Sequence, residues 1–483
     1  MIDNPVMLVG FLTARYHLIR AMLLLVSMTL TGCSDGLTEL ERIKKRGTIR
    51  VAILASPPIF FPDESMLRGL DFEIVADYAK SINCKLDIIT AYTLGEMQTL
   101  LKQGKVHIAI ADSAPLVTSA EISSGNSYNP NQWYVIGNRA NELPDSLEQV
   151  KPGRLVVAED SGPALVMQEL KQQHSFLNWV ELPGGNTRQV LQQVNQNRFK
   201  LTIVNDDLFT YYRQLYPEIK IAFKLEQNHP TRWMTLNKPD QSITDSINIF
   251  IDKYQESGKL EKLNATYFRH LKLFRYIDNV YFLQRIQTLL PQYQAMFAKA
   301  AEQNVFDERF LAAVSYQESH WNKDAVSPTG VRGLMMLTLT TAKRVGVTDR
   351  LDPEQSINGG ASYLAILRES LPVDIKEPDR SWMTLAAYNV GLGHLEDARV
   401  LTERAGDNPH LWVDVEKHLP KLSDKKWYEQ TRHGYARGHE PVAFVRRIHR
   451  YFDILRLYQQ EELLKKFNKP INFDKLQLNS PIL

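Results

Sequence analysis

The chain has 483 residues, 44% of them hydrophobic and 23% charged, with 57 basic against 55 acidic side chains and a net charge of +2. That length allows two or three domains with cores of their own, and so even a balance offers no electrostatic case for a nucleic acid or an acidic partner. The only cysteines are Cys33 and Cys84, so a framework of several disulfides is excluded.

Near the amino terminus Arg15, His17 and Arg20 precede an apolar run over residues 21–30, which is short for a bilayer span. The run ends in Leu30-Thr31-Gly32-Cys33. This resembles the lipobox of bacterial lipoproteins, which implies removal of residues 1–32 as a signal and lipidation of Cys33. An uncleaved anchor and an ordinary cleaved signal are the alternatives. Each puts the rest of the chain outside the cytoplasm. Ser34 after the cysteine implies, by the same resemblance, the outer membrane rather than the inner one. Residues 33–39 are then a linker, and Cys84 is expected to be a lone core thiol.

Residues 37–46 read as a short helix closed by Gly47, followed by a β-branched strand over 48–54. Gly69 opens a helix that runs to residue 79. A strand over 85–90, a helix over 97–102 and a strand over 106–111 follow. A second unit of the same kind starts near Trp133, with strands at 155–158 and 201–204 and helices at 163–173, 187–197, 243–258 and 260–267. Strands alternating with helices predict α/β architecture with a mainly parallel sheet. Three places carry a resemblance to the periplasmic solute-binding proteins of the amino-acid type: the segment from Leu40 to Val51, the turn with Gly69, Asp71 and Glu73, and the apolar segment from Gly104. It implies two lobes over residues 40–270 with a ligand between them. In that family an arginine clamps the ligand carboxylate and an aspartate holds its amino group. Asp206 matches the aspartate, whereas the stretch from Thr118 to Ile122 has no arginine. A free amino acid is therefore a poor candidate, and a peptide or muropeptide fragment, or no ligand, fits at least as well. Asp206 also reads simply as a strand-end or helix-cap residue.

Residues 271–279 form a linker, and from 280 to 466 the pattern is helical, with helices predicted at 281–301, 307–321, 340–345, 356–371, 381–388, 391–404 and 442–466. The tail over 467–483 has two prolines and no period, which predicts extended or disordered chain. In the second of these helices Asp307 is placed as N-cap, with Phe306 and Leu311 spaced for a hydrophobic staple. Leu311, Val314 and Glu318 recur at seven and four residues, which puts a carboxyl on the apolar stripe of its helix. Burial there makes the carboxyl harder to ionise and suits it to donate a proton near neutral pH. The alternative is a frayed helix end with Glu318 in solvent.

Glu318-Ser319 and Trp321, then Ala325, Ser327, Gly330, Gly333-Leu334-Met335, Thr341-Ala342 and Ala387-Tyr388-Asn389 follow in one order. They resemble the soluble-lytic-transglycosylase, goose-lysozyme-like catalytic domain, a mainly α lysozyme-like fold, over about residues 300–455. Together with the α/β domain, the multidomain architecture resembles the membrane-bound lytic murein transglycosylase F group. The resemblance implies cleavage of the β-1,4 bond between N-acetylmuramic acid and N-acetylglucosamine in peptidoglycan glycan strands, exo-lytic in type and without a cofactor. It implies Glu318 as acid and then base, with the substrate's N-acetyl oxygen stabilising the cation and its 6-hydroxyl closing a 1,6-anhydro ring. Ser327, Met335, Tyr388, Asn389 and Glu440 are the implied substrate-site residues, with Glu440 fixing Tyr388 or the cleft wall. Met336 stands where most members have glutamine, and Phe444-Val445 where they have Tyr-Val. Asp324, Asp349 and Asp352 belong to no motif that would make one of them a second catalytic carboxylate. His320 and His394 lack a third ligand at metal spacing, so no metal is expected. A hydrolytic muramidase and a non-catalytic glycan- or muropeptide-binding envelope protein are the alternatives.

Overall fold

The computed structural model describes residues 36–56, 60, 68–111, 121–273, 275–467 and 477–478. The leader, Cys33 and most of the stretch from Thr118 to Ile122 lie outside the described residues.

Two α/β lobes come first. The helix Glu39–Arg46 is entered through a reciprocal cap between Thr38 and Glu41 and closed by Gly47 at φ 70. It leads into a five-stranded sheet ordered Lys85–Ala91, Thr48–Leu54, Ile108–Ile110, Thr231–Leu236 and Ile122–Tyr128. The first three strands pair in parallel and the last two antiparallel. In the second lobe Gln132–Asn138 lies between Leu201–Asn205 and Ile219–Asn228, antiparallel to both, while Val156–Ala158 pairs in parallel with Val180–Leu182. The expectation of mainly parallel sheets is thus corrected. The chain crosses between lobes twice, after Tyr128 and after Asn228, and each crossing brings a strand in against the direction of its neighbours. These crossing strands are half polar, as in the sequence of Ile122–Tyr128, and carry little period-2 signal.

The helical domain begins with Tyr276–Thr288 and Leu290–Asn304, two helices where the sequence reading has one. Pro291 has no amide hydrogen to donate to the carbonyl four residues back, so a continuous helix is interrupted at Leu289 and Pro291 sits in the first turn of the second one. The remaining helices include Glu308–Ser319, Pro353–Ser370, Asp379–Val390, Leu392–Arg404 and the long terminal helix His439–Phe467. A helix at Trp412–His418, unmarked by the sequence pattern, lies beneath the α/β domain. Their shared core includes Phe282, Leu311, Val314, Trp321, Leu364 and Ile448. Cys84 is free and only partly buried, its thiol 3.9 Å from the Ile43 carbonyl oxygen.

The two domains meet through charged and hydrogen-bonded groups. Lys262 pairs with Asp414 at 2.7 Å, Arg269 and Arg446 share Glu416, and His270 bonds Asp453 at 2.7 Å. At the far end of the terminal helix the buried Glu461 accepts from Arg188, Gln192 and Tyr216 of the second lobe. Within the tail, expected as extended or disordered chain, Gln477–Leu478 is extended and adds a short antiparallel strand to Val180–Glu181. The exposed edge of a parallel pair offers free backbone donors and acceptors, and a tail with no hydrophobic period can still use them. Removal of one member of a buried ion pair leaves the other unpaired. Glu461→Ala should therefore lower unfolding stability by about 3 kcal/mol in chemical denaturation, whereas the exposed Glu354→Ala should change it by less than about 1 kcal/mol.

Candidate active site

The helix Glu308–Ser319 is built to hold its last turn still. Asp307 caps it, its carboxylate accepting from the Arg309 amide at 2.8 Å. Phe306 stacks on Phe310, with centroids 5.6 Å apart, so the ring that precedes the cap is anchored one residue short of Leu311. At the other end His320 adopts the left-handed conformation and its amide donates to the Tyr316 carbonyl at 2.8 Å. The chain then doubles back, and the buried Trp321 donates from Nε1 to the Ala312 carbonyl at 2.9 Å. The helix end is capped and tucked under its own body, which rules out fraying.

Glu318 sits on this last turn, partly buried. Its carboxyl has no hydrogen bond or ion pair among the described residues, and loss of water alone raises its pKa from the ordinary carboxylate range to about 8. The neighbouring turn is tied down on both sides. Ser315 and Ser319 donate to the Leu334 carbonyl at 3.1 and 2.9 Å, and Gln317 accepts from Arg447 of the terminal helix at 2.9 Å. The chain from Leu334 to Met335 therefore lies along the helix that carries Glu318 in its last turn.

Tyr388 projects from Asp379–Val390 and donates from its hydroxyl to the Met335 carbonyl at 2.8 Å. Burial, and next the charge of Glu318, push the phenol well above its ordinary pKa, so it remains a donor. Phe444 of the terminal helix lies parallel to its ring, 6.5 Å between centroids. The Met335 side chain is fully buried, and a Cβ on Gly360 would come within 2.6 Å of it. Expected at the substrate, Met335 instead reaches the site through its backbone, because its side chain fills the space over Gly360. Ser327 is partly exposed in the loop that follows the helix, its hydroxyl 2.9 Å from that of Thr329 and accepting from the Val331 amide at 3.2 Å. Asn389 is exposed beside Tyr388. Glu440 does not fix Tyr388, whose hydroxyl is engaged by Met335; it lies exposed in the first turn of the terminal helix, 3.3 Å from Arg437.

The other carboxyls near this loop are otherwise engaged. Asp324 is exposed against Lys323, Asp349 accepts from the Leu351 amide, and Asp352 caps Pro353–Ser370. Burial raises Asp379 to about 6, but it begins the helix on which Tyr388 lies near the end, roughly 14 Å away along the axis. Burial holds His320 below its ordinary pKa and hence neutral.

Sequence spacing does not reveal the trio His270, His449 and Asp453, whose ligand atoms lie within 4.8 Å of one another at the domain junction. Their composition suits a divalent metal, but the geometry does not. The two imidazoles stack with centroids 3.5 Å apart and planes 11° apart, and Trp382 stacks on His449 at 4.0 Å. Lone pairs in parallel planes do not converge on one ion.

In the second lobe Asp206 is the exposed first residue of Asp206–Tyr212, and the cap is its neighbour Asn205. Although Asp206 as a whole is exposed, its carboxyl accepts from Tyr134 and is partly shielded from water, and that shielding raises it above its ordinary range. Asp207, unmarked by the sequence pattern, accepts from Asn129 at 2.9 Å and Asn131 at 2.6 Å, both in the crossing between lobes.

Residues 295–410 match the transglycosylase SLT domain and residues 49–270 match the bacterial extracellular solute-binding proteins, family 3. A cysteine-binding protein from Campylobacter jejuni aligns with 50% of this chain and 98% of its own at 17% identity and a TM-score of 0.43, too slight a likeness to carry an argument. A membrane-bound lytic murein transglycosylase F from Pseudomonas putida is 39% identical over 440 residues, 90% of each chain. One from Stutzerimonas stutzeri is 37% identical over 91% of this chain and 90% of its own. With that identity sustained across both domains, the chain belongs to the membrane-bound lytic murein transglycosylase F family.

Proposed function

We propose that this protein cleaves the β-1,4 bond between N-acetylmuramic acid and N-acetylglucosamine in peptidoglycan as a lytic transglycosylase, with Glu318 as acid and then base. The observation that carries the reading is one carboxyl, partly buried, without hydrogen bond or ion pair among the described residues, and raised to about 8. At neutral pH such a group holds a proton it can give up, and its conjugate base is strong enough to recover one. Glu318 protonates the glycosidic oxygen as the bond to the muramic acid C1 breaks. The sugar's own N-acetyl oxygen stabilises the cation. The Glu318 carboxylate then takes the proton of the 6-hydroxyl as O6 bonds C1, closing the 1,6-anhydro ring and restoring the acid. No water is consumed and no second carboxylate is needed, in accord with the engagement of Asp324, Asp349 and Asp352 elsewhere.

Tyr388 holds the loop that faces the sugar, Ser327 and Asn389 contact the sugar, and Glu440 acts with Arg437 at the rim. The two-lobed domain takes a muropeptide or peptide beside Asp206. A lipid on Cys33 holds the protein to the outer membrane at its periplasmic face; no helix among the described residues is long and apolar enough to cross a membrane.

Purified wall digested by the protein should yield muropeptides one water lighter than their reducing counterparts, and Glu318→Gln should lower the rate on the order of a thousandfold. Reducing ends would replace this reading with a hydrolytic muramidase. Full activity in Glu318→Gln would sink both enzymatic readings, and a wild type that binds but never cleaves would leave a binding protein.

The acid also predicts two pH dependences. Activity should fall as pH rises through about 8, where Glu318 loses its proton. In the unfolded chain the same carboxyl ionises near about 4.3. Between those values the unfolded state binds fewer protons than the fold, so Glu318 makes stability fall as pH rises. Glu318→Gln removes that slope. Its melting temperature should exceed that of the wild type by a margin that widens from about pH 5 to pH 8.

A further inference from the structure

Residues 325–337 fold as a small hairpin with bridges between Val326 and Arg332 and between Arg332 and Leu337. Its base is fixed by side chains around Glu318, since Ser315, Ser319, Ser356 and Tyr388 all bond the backbone of Leu334 or Met335. Its tip is held differently. Within residues 327–331 the bonds are those of the turn itself, from the Ser327 amide to Val331 at 3.0 Å and from the Gly330 amide to Ser327 at 3.0 Å. The outside support is Arg350, whose Nη1 donates to the carbonyls of Gly330 and Leu337, both at 2.8 Å.

Arg350 is itself placed firmly. It lies in the turn between Leu339–Arg344 and Pro353–Ser370, where the amides of Thr348 and Asp349 donate to Gln355 Oε1 at 3.0 and 3.1 Å. Gly333 of the hairpin passes so close that a Cβ there would stand 1.8 Å from the Arg350 carbonyl oxygen. Its guanidinium forms no ion pair with a carboxylate among the described residues. The charge is spent on two backbone oxygens, one at the hairpin tip and one at its end. Such charge-assisted bonds are stronger than neutral ones.

We propose that Arg350 is a positioning residue for glycan cleavage, a clasp that keeps the 325–337 hairpin closed beside the acid helix, so that Ser327 stays set for the sugar and water stays away from Glu318. The proposal rests on the transglycosylase reading. Without the clasp the tip is free to lift, while the base remains held by its four side chains. Water then reaches Glu318 more easily, and because desolvation alone raises that carboxyl, its ionisation moves back toward the ordinary range.

The test uses the full chain as wild type, Arg350→Met and Arg350→Lys. Both native bonds leave one nitrogen, so the lysine ammonium can replace them, while methionine fills similar space without a donor. In Arg350→Met, kcat/KM on purified peptidoglycan should fall about tenfold or more, and the basic limb of the pH profile should move to lower pH. Arg350→Lys should recover activity to within about threefold of wild type. The Glu318 carboxyl carbon, followed by NMR titration, should show the same acidward shift in Arg350→Met. That titration needs no turnover, so it decides the role of Arg350 even if wild type cleaves nothing and the transglycosylase reading fails. An unshifted Glu318 titration in folded Arg350→Met would overturn the proposal, as would a loss of activity that Arg350→Lys does not restore. Should Arg350→Met not fold, Arg350→Gln, too short to span both carbonyls, takes its place under the same criteria.

Discussion

A carboxyl group placed in a partly dry site with nothing to neutralise it cannot stay ionised cheaply. The catalytic domain is organised around keeping Glu318 in that condition. Its pKa of about 8 has no contributing ion pair or hydrogen bond, only the removal of water. An acid raised this way depends on every surface that excludes solvent from it. That explains why so many bonds near the site involve backbone carbonyls rather than charges. Ser315, Ser319 and Tyr388 grip the passing chain at Leu334 and Met335, and none of them offers Glu318 a partner that would pull its pKa back down.

The same need fixes the direction of the proposed chemistry. Most glycosidases divide acid and nucleophile between two carboxylates. Here the nearby aspartates cap helices, close turns or face solvent. A single group poised near neutrality can both give and recover a proton, provided the nucleophile comes from the substrate. The 6-hydroxyl meets that condition.

The terminal helix connects this site to the rest of the molecule. Phe444 lies along Tyr388 and Arg447 bonds Gln317, the neighbour of Glu318. Within the next two turns His449 stacks between domains and Asp453 bonds His270, and at the far end Glu461 gathers three side chains of the second lobe. One rigid element thus touches both the acid helix and the α/β domain. The wall of the site and the docking of the domains are parts of the same packing problem.

Local chemistry was legible in the chain. The Asp307 cap, the helix through Glu318, the Gly47 stop and the glycine-bearing loop after Trp321 are set by residues within a few positions of one another, so spacing reveals them. So was the order of motifs that places the chain in its family. What depends on distant residues was not legible. The break at Leu289 outweighed a continuous apolar pattern, the crossing strands reversed direction against expectation, and a tail without period found a sheet edge. The burial of Met335, the engagement of Tyr388 with its carbonyl and the exposure of Glu440 follow from which helices pack together. Sequence alone determined that Glu318 lies on the apolar stripe of a capped helix, because periodicity is a local property. Only the tertiary structure decided that this carboxyl is left without a partner among the described residues, because isolation depends on what every neighbouring element brings to the site.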